Sequence, residues 1–424
     1  MTGPRWMSNV IPDRGLPRSL ALQSLLFSLG SGMFLTGSAV YFTEVVGLSA
    51  IQIGVGFSIA GGLALLMSIP MGALVDRVGA QRSWMLGALA EGAVFAVYPL
   101  VKGFGGFLVS LVFITLANVF AQAGRGSYTV AAIPPAIRVR TQAFMRSALN
   151  VGFTVGAGLS AIVLAFHSHS VLNILVISNA IGLIVNGIFI SRLPAVPPIE
   201  RAPHTDGHRP SRIAVFRDRP ILALTGLLGV VMLYGTVFAE VIPLWILNRT
   251  EVPKPVIGVL FTVNTIMAVL LQVPASRGAD SMPGAIRLMR WGALAAMVAC
   301  PLMLLTSGSG GWITIGVLAI CVALVTMTEL WVSSASWYLF SEIPPPDRRG
   351  EYLGAMRMGG AAQSMVGPAA LTFLALHTGY GWWLIGGIFG LVALVAGPLM
   401  WWAANSPRPG VPTSVVAAPS PTHA

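Results

Sequence analysis

Apolar residues run along this chain in twelve blocks, each long enough to be a membrane-crossing helix of about 20 residues, with short polar gaps between them. The blocks lie at roughly 19–45, 51–74, 83–101, 105–127, 142–166, 171–191, 220–247, 256–275, 286–306, 312–340, 352–376 and 381–404. The first follows Arg5, Arg14 and Arg18 and has no small-residue cleavage site after a short apolar core, so it reads as an uncleaved signal anchor. The pattern predicts an all-α integral membrane protein with twelve transmembrane helices in two pseudo-symmetric six-helix bundles.

Composition agrees. Of 424 residues 55% are hydrophobic and 9% charged, with a mean hydropathy of +0.80. Soluble domains carry charge on about a quarter of their positions, so a soluble enzyme of this length would expose too much apolar surface. The net charge of +11 is almost all arginine. These arginines fall in the gaps between apolar blocks and form no clustered basic patch, which excludes nucleic acid as a partner and makes them a topology signal. With the N-terminus inside, only Lys102, Arg249 and Lys254 fall outside. Both termini are therefore expected on the cytoplasmic face of a plasma membrane. The expected organisation is an N-tail (1–17), a first bundle (18–193), a Pro- and Arg-rich linker (194–219), a second bundle (220–404) and a C-tail (405–424).

The bundles echo each other. Ile133-Pro134-Pro135 returns as Ile343-Pro344-Pro345; Met145-Arg146 and Val155-Gly156 return 211 residues later as Met356-Arg357 and Val366-Gly367. Pro70, Asp76 and Ile53-Gly54-Val55 return 204 residues later as Pro274, Asp280 and Ile257-Gly258-Val259. Parallel repeats of this kind place a binding site between the halves near the midplane. The gap after the second span reads GALVDRVGAQR, from Gly72 to Arg82. Gly72 allows close helix approach, Gly79 supplies a turn, and Asp76 suits a helix N-terminus or a cation. With Gly72, Leu74, Asp76, Arg77, Gly79 and Arg82 in place, this segment resembles the signature loop of the major facilitator superfamily, and the resemblance extends from about 18 to 404. It implies a transporter whose inner gate is latched by Gly72, Asp76, Arg77, Gly79 and Arg82.

A charge at the bilayer centre is expensive, about 2.5–3.5 kcal/mol on insertion scales, so polar residues within spans are candidate site residues. Span 4 carries Thr115, Asn118, Gln122 and Arg125 on one helical face; span 10 carries Thr326, Glu329, Ser333 and Ser336, each 211 residues later. The resemblance implies that spans 1, 4, 7 and 10 line a central cavity, so both stripes are read as cavity and substrate positions, the alternative being hydrogen bonds that glue neighbouring helices together. A buried carboxylate is easily protonated, which makes Glu329 and Glu240 the proton-coupling candidates. Glu44 is expected to be solvated, Glu91 to pair with an arginine, and Arg146 and Arg357 to snorkel toward headgroups by default or, alternatively, to hold the inner gate. Gly152-x-x-x-Gly156-Ala157-Gly158 partly resembles an antiporter motif of the drug-efflux branch, although Ala157 stands where that motif has proline. Cys300 and Cys321 read as packed small residues, and His167 and His169 are too sparse for a metal site. No phosphate-binding loop is present, so a proton gradient replaces any cofactor.

The sequence therefore predicts a monomeric, non-enzymatic secondary transporter in the lipid bilayer. It would export a small amphipathic compound by proton exchange, since its stripes hold few charges and 18 Met and 19 Phe suit an adaptable lining. The alternative is proton-coupled import of a small polar nutrient, which would show more fixed charge in the cavity.

Overall fold

The computed structural model describes residues 12, 14–164, 166, 169–195, 214–253, 255–345 and 348–407. Most of the linker and the tails, with His167, lie outside them. The first half comprises α1 (Leu16–Val40), α2 (Ala50–Val78), α3 (Ala80–Val97), α4 (Gly103–Ala132), α5 (Pro135–Leu164) and α6 (His169–Ser191). The second comprises α7 (Arg219–Arg249), α8 (Pro255–Ala275), α9 (Met282–Leu302), α10 (Gly311–Glu342), α11 (Arg349–His377) and α12 (Gly381–Asn405). Eleven of the twelve are both long and apolar enough to cross a membrane. The other, α11, spans 29 residues but opens with Arg349, Glu351 and Arg357. Large apolar side chains on the outer surface, such as Leu66 (70% exposed) and Leu394 (72%), suit a hydrocarbon solvent.

Several helices run further than the apolar blocks. The gap after the second span is itself helical to Val78, which leaves Gly79 at φ +96° as the corner into α3. Asp76 and Arg77 thus ride the last turn of α2. Likewise α5 starts at Pro135, two turns before its apolar block, and carries Arg138, Arg140 and Arg146. Helix propensity does not require apolarity, and arginine is a good helix former. Local caps fix other ends: the Ser49 hydroxyl accepts from Gln52 N while the Gln52 side chain accepts from Ser49 N, a reciprocal box that starts α2. Asp218 caps α7 through Ile221 N, and its other oxygen accepts from the Tyr352 hydroxyl at 3.1 Å, which ties α7 to α11.

Within the first half, α1 packs on α5 and α6, and α3 on α4 and α6; in the second, α9 packs on α10 and α12, and α11 on α7. A Cβ at Gly152 or Gly156 would collide with the α1 backbone at Leu25 or Leu29, so the small-residue motif of α5 is a helix-packing seat. The halves meet along two seams, α2 against α11 and α5 against α8. Toward the end of the bundle away from Gly79, called here the far end, α1 continues into a π-helical turn, Tyr41–Val45, and α7 contains another, Val237–Val241.

Candidate functional site

The seams are tied at the Gly79 end, called here the signature end. Asp76 Oδ1 accepts from Gly350 N at 2.9 Å and Oδ2 from Glu351 N at 3.3 Å, which caps the N-terminus of α11 with a carboxylate from the other half. Gly72 and Gly350 face each other so closely that a Cβ on either would strike the other's carbonyl oxygen. Arg138 of α5 pairs with Glu342 of α10 at 2.5 Å. Arg77 and Arg82 are exposed. Arg77 borders an apolar groove on the side of α2, lined by Leu66, Pro70, Phe216 and Met358.

One step deeper, two more ties cross between halves. Arg146 of α5 is ion-paired with Glu329 of α10, and Arg357 of α11 donates from Nη1 to the Gln122 carbonyl of α4 at 2.9 Å. The Ser147 hydroxyl donates to the Val269 carbonyl of α8 at 3.0 Å. Every residue in these ties belongs to the signature half of its helix. Farther along, α1 and α7 make little or no contact with each other. Thr36, Ser58, Thr154, Thr262 and Ser364, on the far halves of α1, α2, α5, α8 and α11, are all exposed. Each donates its hydroxyl to the carbonyl four residues earlier on its own helix, and their exposure on helices of both halves suits the wall of a vestibule between the halves.

The two stripes divide. Glu329 faces α5, whereas Thr326 accepts from Asn264 Nδ2 at 2.9 Å and Ser333 from Gln272 Nε2 at 3.4 Å, both on α8. The stripe spans an arc of about 80°, wide enough for its edges to meet different neighbours. Ser336 is buried with its hydroxyl unpartnered. On α4, Thr115 donates to its own helix at Leu111 O. Asn118 donates to the Glu91 carboxylate at 3.2 Å. Arg125 donates to Ser24 Oγ at 3.2 Å and heads a chain through Gln23 to Asn186, across α1 and α6. Gln122 contributes its carbonyl.

Four further expectations meet the structure differently. Glu240 is exposed on its π-turn, so it is not a desolvated carboxylate; the extra residue in that turn swings it off the packed face. Glu329 is not a lone acid, because it holds Arg146. Arg146 and Arg357 do not snorkel: both reach across to the opposite half. Glu91 is an acid buried in mid-span on α3, with Asn118, an amide, in place of the expected arginine. Its signal in the sequence was an acid in mid-span facing an asparagine stripe. Glu44 is exposed, and Cys300 and Cys321 are buried free thiols.

Comparison with known proteins supplies the fold's relatives. A bacterial homologue of the iron transporter ferroportin, in an outward-facing state, superposes with a TM-score of 0.69 at 13% identity, over 92% of this chain and 99% of that one. The human organic anion transporter MFSD10 (TETRAN) gives 0.66 at 17%, over 94% and 100%. The transporter FucP in its outward conformation gives 0.68 at 14%, again over 94% and 100%. No curated protein matches the chain by sequence. The sequence pattern of the Major Facilitator Superfamily matches residues 20–361 and again 240–423. The chain is a multi-pass membrane protein of the Major Facilitator Superfamily.

Proposed function

We propose that this protein is a proton-coupled secondary transporter that works by alternating access, with its signature end facing the cytoplasm of a plasma membrane. The observation that carries the reading is the Arg146–Glu329 ion pair between halves. A proton on Glu329 removes the charge that holds Arg146, so proton binding and the parting of the halves share one contact. In this arrangement the vestibule faces outward and the latch at Asp76 keeps the inner side shut. Export of an amphipathic compound was expected from a cavity poor in charge. Arg125, Arg146, Arg357 and Glu329 give the seam fixed charge instead, which favours the alternative of importing a small polar solute with the proton. The test is proton flux into proteoliposomes carrying a pH-sensitive dye, with candidate solutes added outside. Wild type should show solute-dependent proton entry, and Glu329→Gln should bind solute without proton entry. Equal solute-driven proton flux in both proteins would remove Glu329 from the mechanism.

A further inference from the structure

The seam between the halves carries more positive than negative charge. Arg357 Nη1 donates to the Gln122 carbonyl, one turn before Arg125, and its Nη2 lies 2.9 Å from where a Cβ on Gly126 would stand. Arg125 is within Coulombic reach of both Arg357 and Arg146. Of these three guanidiniums only Arg146 has a carboxylate, Glu329. Arg125 donates to a serine hydroxyl and Arg357 to a backbone carbonyl, both neutral acceptors.

The repeat shows where the missing acid would stand. Arg146 and Arg357 are related by 211 residues, and the position 211 before Glu329 is Asn118. Asn118 is turned to Glu91 on α3, which packs on α4 and α6, away from the second half. Among the described residues, no other acid is hydrogen-bonded or ion-paired to Arg125 or Arg357. Asp76, Glu342 and Glu351 at the signature end hold the α11 N-terminus, Arg138 and Arg348. Glu44 and Glu240 sit in the π-turns of α1 and α7.

Both uncompensated guanidiniums belong to mostly buried residues that keep a minor exposed fraction beside the seam. Charge at this depth calls for a partner or for water. A guanidinium fork matches a carboxylate or phosphate with paired hydrogen bonds. We infer that the cargo of this seam is a small organic anion, its carboxylate or phosphate held by Arg125 and Arg357. This assignment rests on the transport reading above and names the substrate class for it. It also fixes the sense of coupling. A proton on Glu329 makes the seam more positive, so proton and anion bind together.

The experiment uses the purified full chain with four probes: benzoate, glycerol 3-phosphate, tetraphenylphosphonium and glucose. Thermal shift in detergent reads binding, and proteoliposome uptake under an inward proton gradient reads transport. At least one anion should raise the melting temperature and accumulate, the two arms telling carboxylate from phosphate. Arg125→Gln and Arg357→Gln should each weaken that anion at least tenfold, and Arg125→Lys and Arg357→Lys, which keep the charge, should retain more than the glutamine forms. Should the glutamine variants melt far below wild type, the lysine pair against wild type carries the comparison. A response to tetraphenylphosphonium or glucose alone, or an anion response unchanged in the glutamine variants, overturns the anion assignment and leaves the transport reading standing. Arginine-dependent anion binding without uptake would keep the anion site but overturn its role as cargo together with the transport reading.

Discussion

Replacing Gly72 with alanine tests the closed seam directly. The Gly72 backbone lies against the Gly350 carbonyl, and the added methyl meets backbone on the opposite helix. Backbone cannot rotate aside as a side chain would, so the helices must part. Overpacking of this kind costs about 1–3 kcal/mol. The penalty falls only on the conformation in which α2 and α11 touch at this point. At about 1.4 kcal/mol per decade, the closed-to-open ratio of the signature end should fall by about 5- to 150-fold. Single cysteines can read the change: Thr36→Cys, exposed on the far half of α1, and Leu353→Cys, buried on α11 near the seam. The native Cys300 and Cys321 are buried and contribute little background. With Gly72→Ala, maleimide labelling at position 36 should slow and labelling at 353 should speed up. Unchanged rates at both positions, with normal expression, would mean that the glycine contact does not govern access, and the argument from close approach would fail.

Asp76→Asn keeps one acceptor for Gly350 N but loses the charge at the α11 N-terminus, an interaction of about 0.3–1 kcal/mol and up to about 2 when partly buried; the same labelling assay should move in the same direction by a smaller factor. Asn118→Leu leaves the buried Glu91 carboxylate without its donor and should lower stability by about 1–3 kcal/mol, whereas the double variant that adds Glu91→Leu should recover most of it in detergent melting curves. Although the residue is exposed, desolvation by its surroundings raises the pKa of the Asp280 carboxyl from its ordinary value. The folded state therefore binds that proton more tightly than the unfolded chain, and the stability gained is present in acid and lost as pH rises through the raised value. Asp280→Asn should accordingly melt higher than wild type at neutral pH and the same in acid below the ordinary aspartate range. For the Arg138–Glu342 pair, whose arginine is buried but whose glutamate is exposed to 38%, a double-mutant cycle should give a coupling of about 1 kcal/mol or less, falling as salt is raised.

The spans were legible in the sequence because lipid demands unbroken apolar length, and Leu16–Val40 or Gly381–Asn405 could be read from hydropathy alone. The helix extensions at Asp76 and Arg138 were not, since hydropathy reports the membrane and not the helix. The signature residues showed that Asp76 suits a helix N-terminus, but only the fold shows that this terminus belongs to α11. For Arg146 the 211-residue repeat with Arg357 was the stronger signal, and the habit of arginines at membrane edges concealed it. Periodicity put Thr326 and Glu329 on one face without saying that α8 and α5 share that face. The π-turns had a visible trace, Phe42-Thr-Glu-Val and Phe238-Ala-Glu-Val at equivalent points of α1 and α7, but a one-residue insertion leaves hydropathy unchanged.

On the transport cycle proposed above, the surplus charge at the seam would also make the empty protein respond to voltage. Arg125, Arg146 and Arg357 against Glu329 leave two net positive charges at the point where access changes sides. While the vestibule is open, those charges sit near the potential of the far-end solution; when the halves rock over, they sit near that of the signature end. Each elementary charge carried across the whole potential is worth about 2.3 kcal/mol per 100 mV. With the signature end inside a negatively polarised cell, the resting voltage pulls the empty protein toward inward access, against Asp76 and the glycine contact. A bound anion cancels part of that charge and so weakens the pull. In that orientation the latch would be set against a voltage as well as against thermal opening, and de-energising the membrane should lengthen the time the unloaded protein spends facing out.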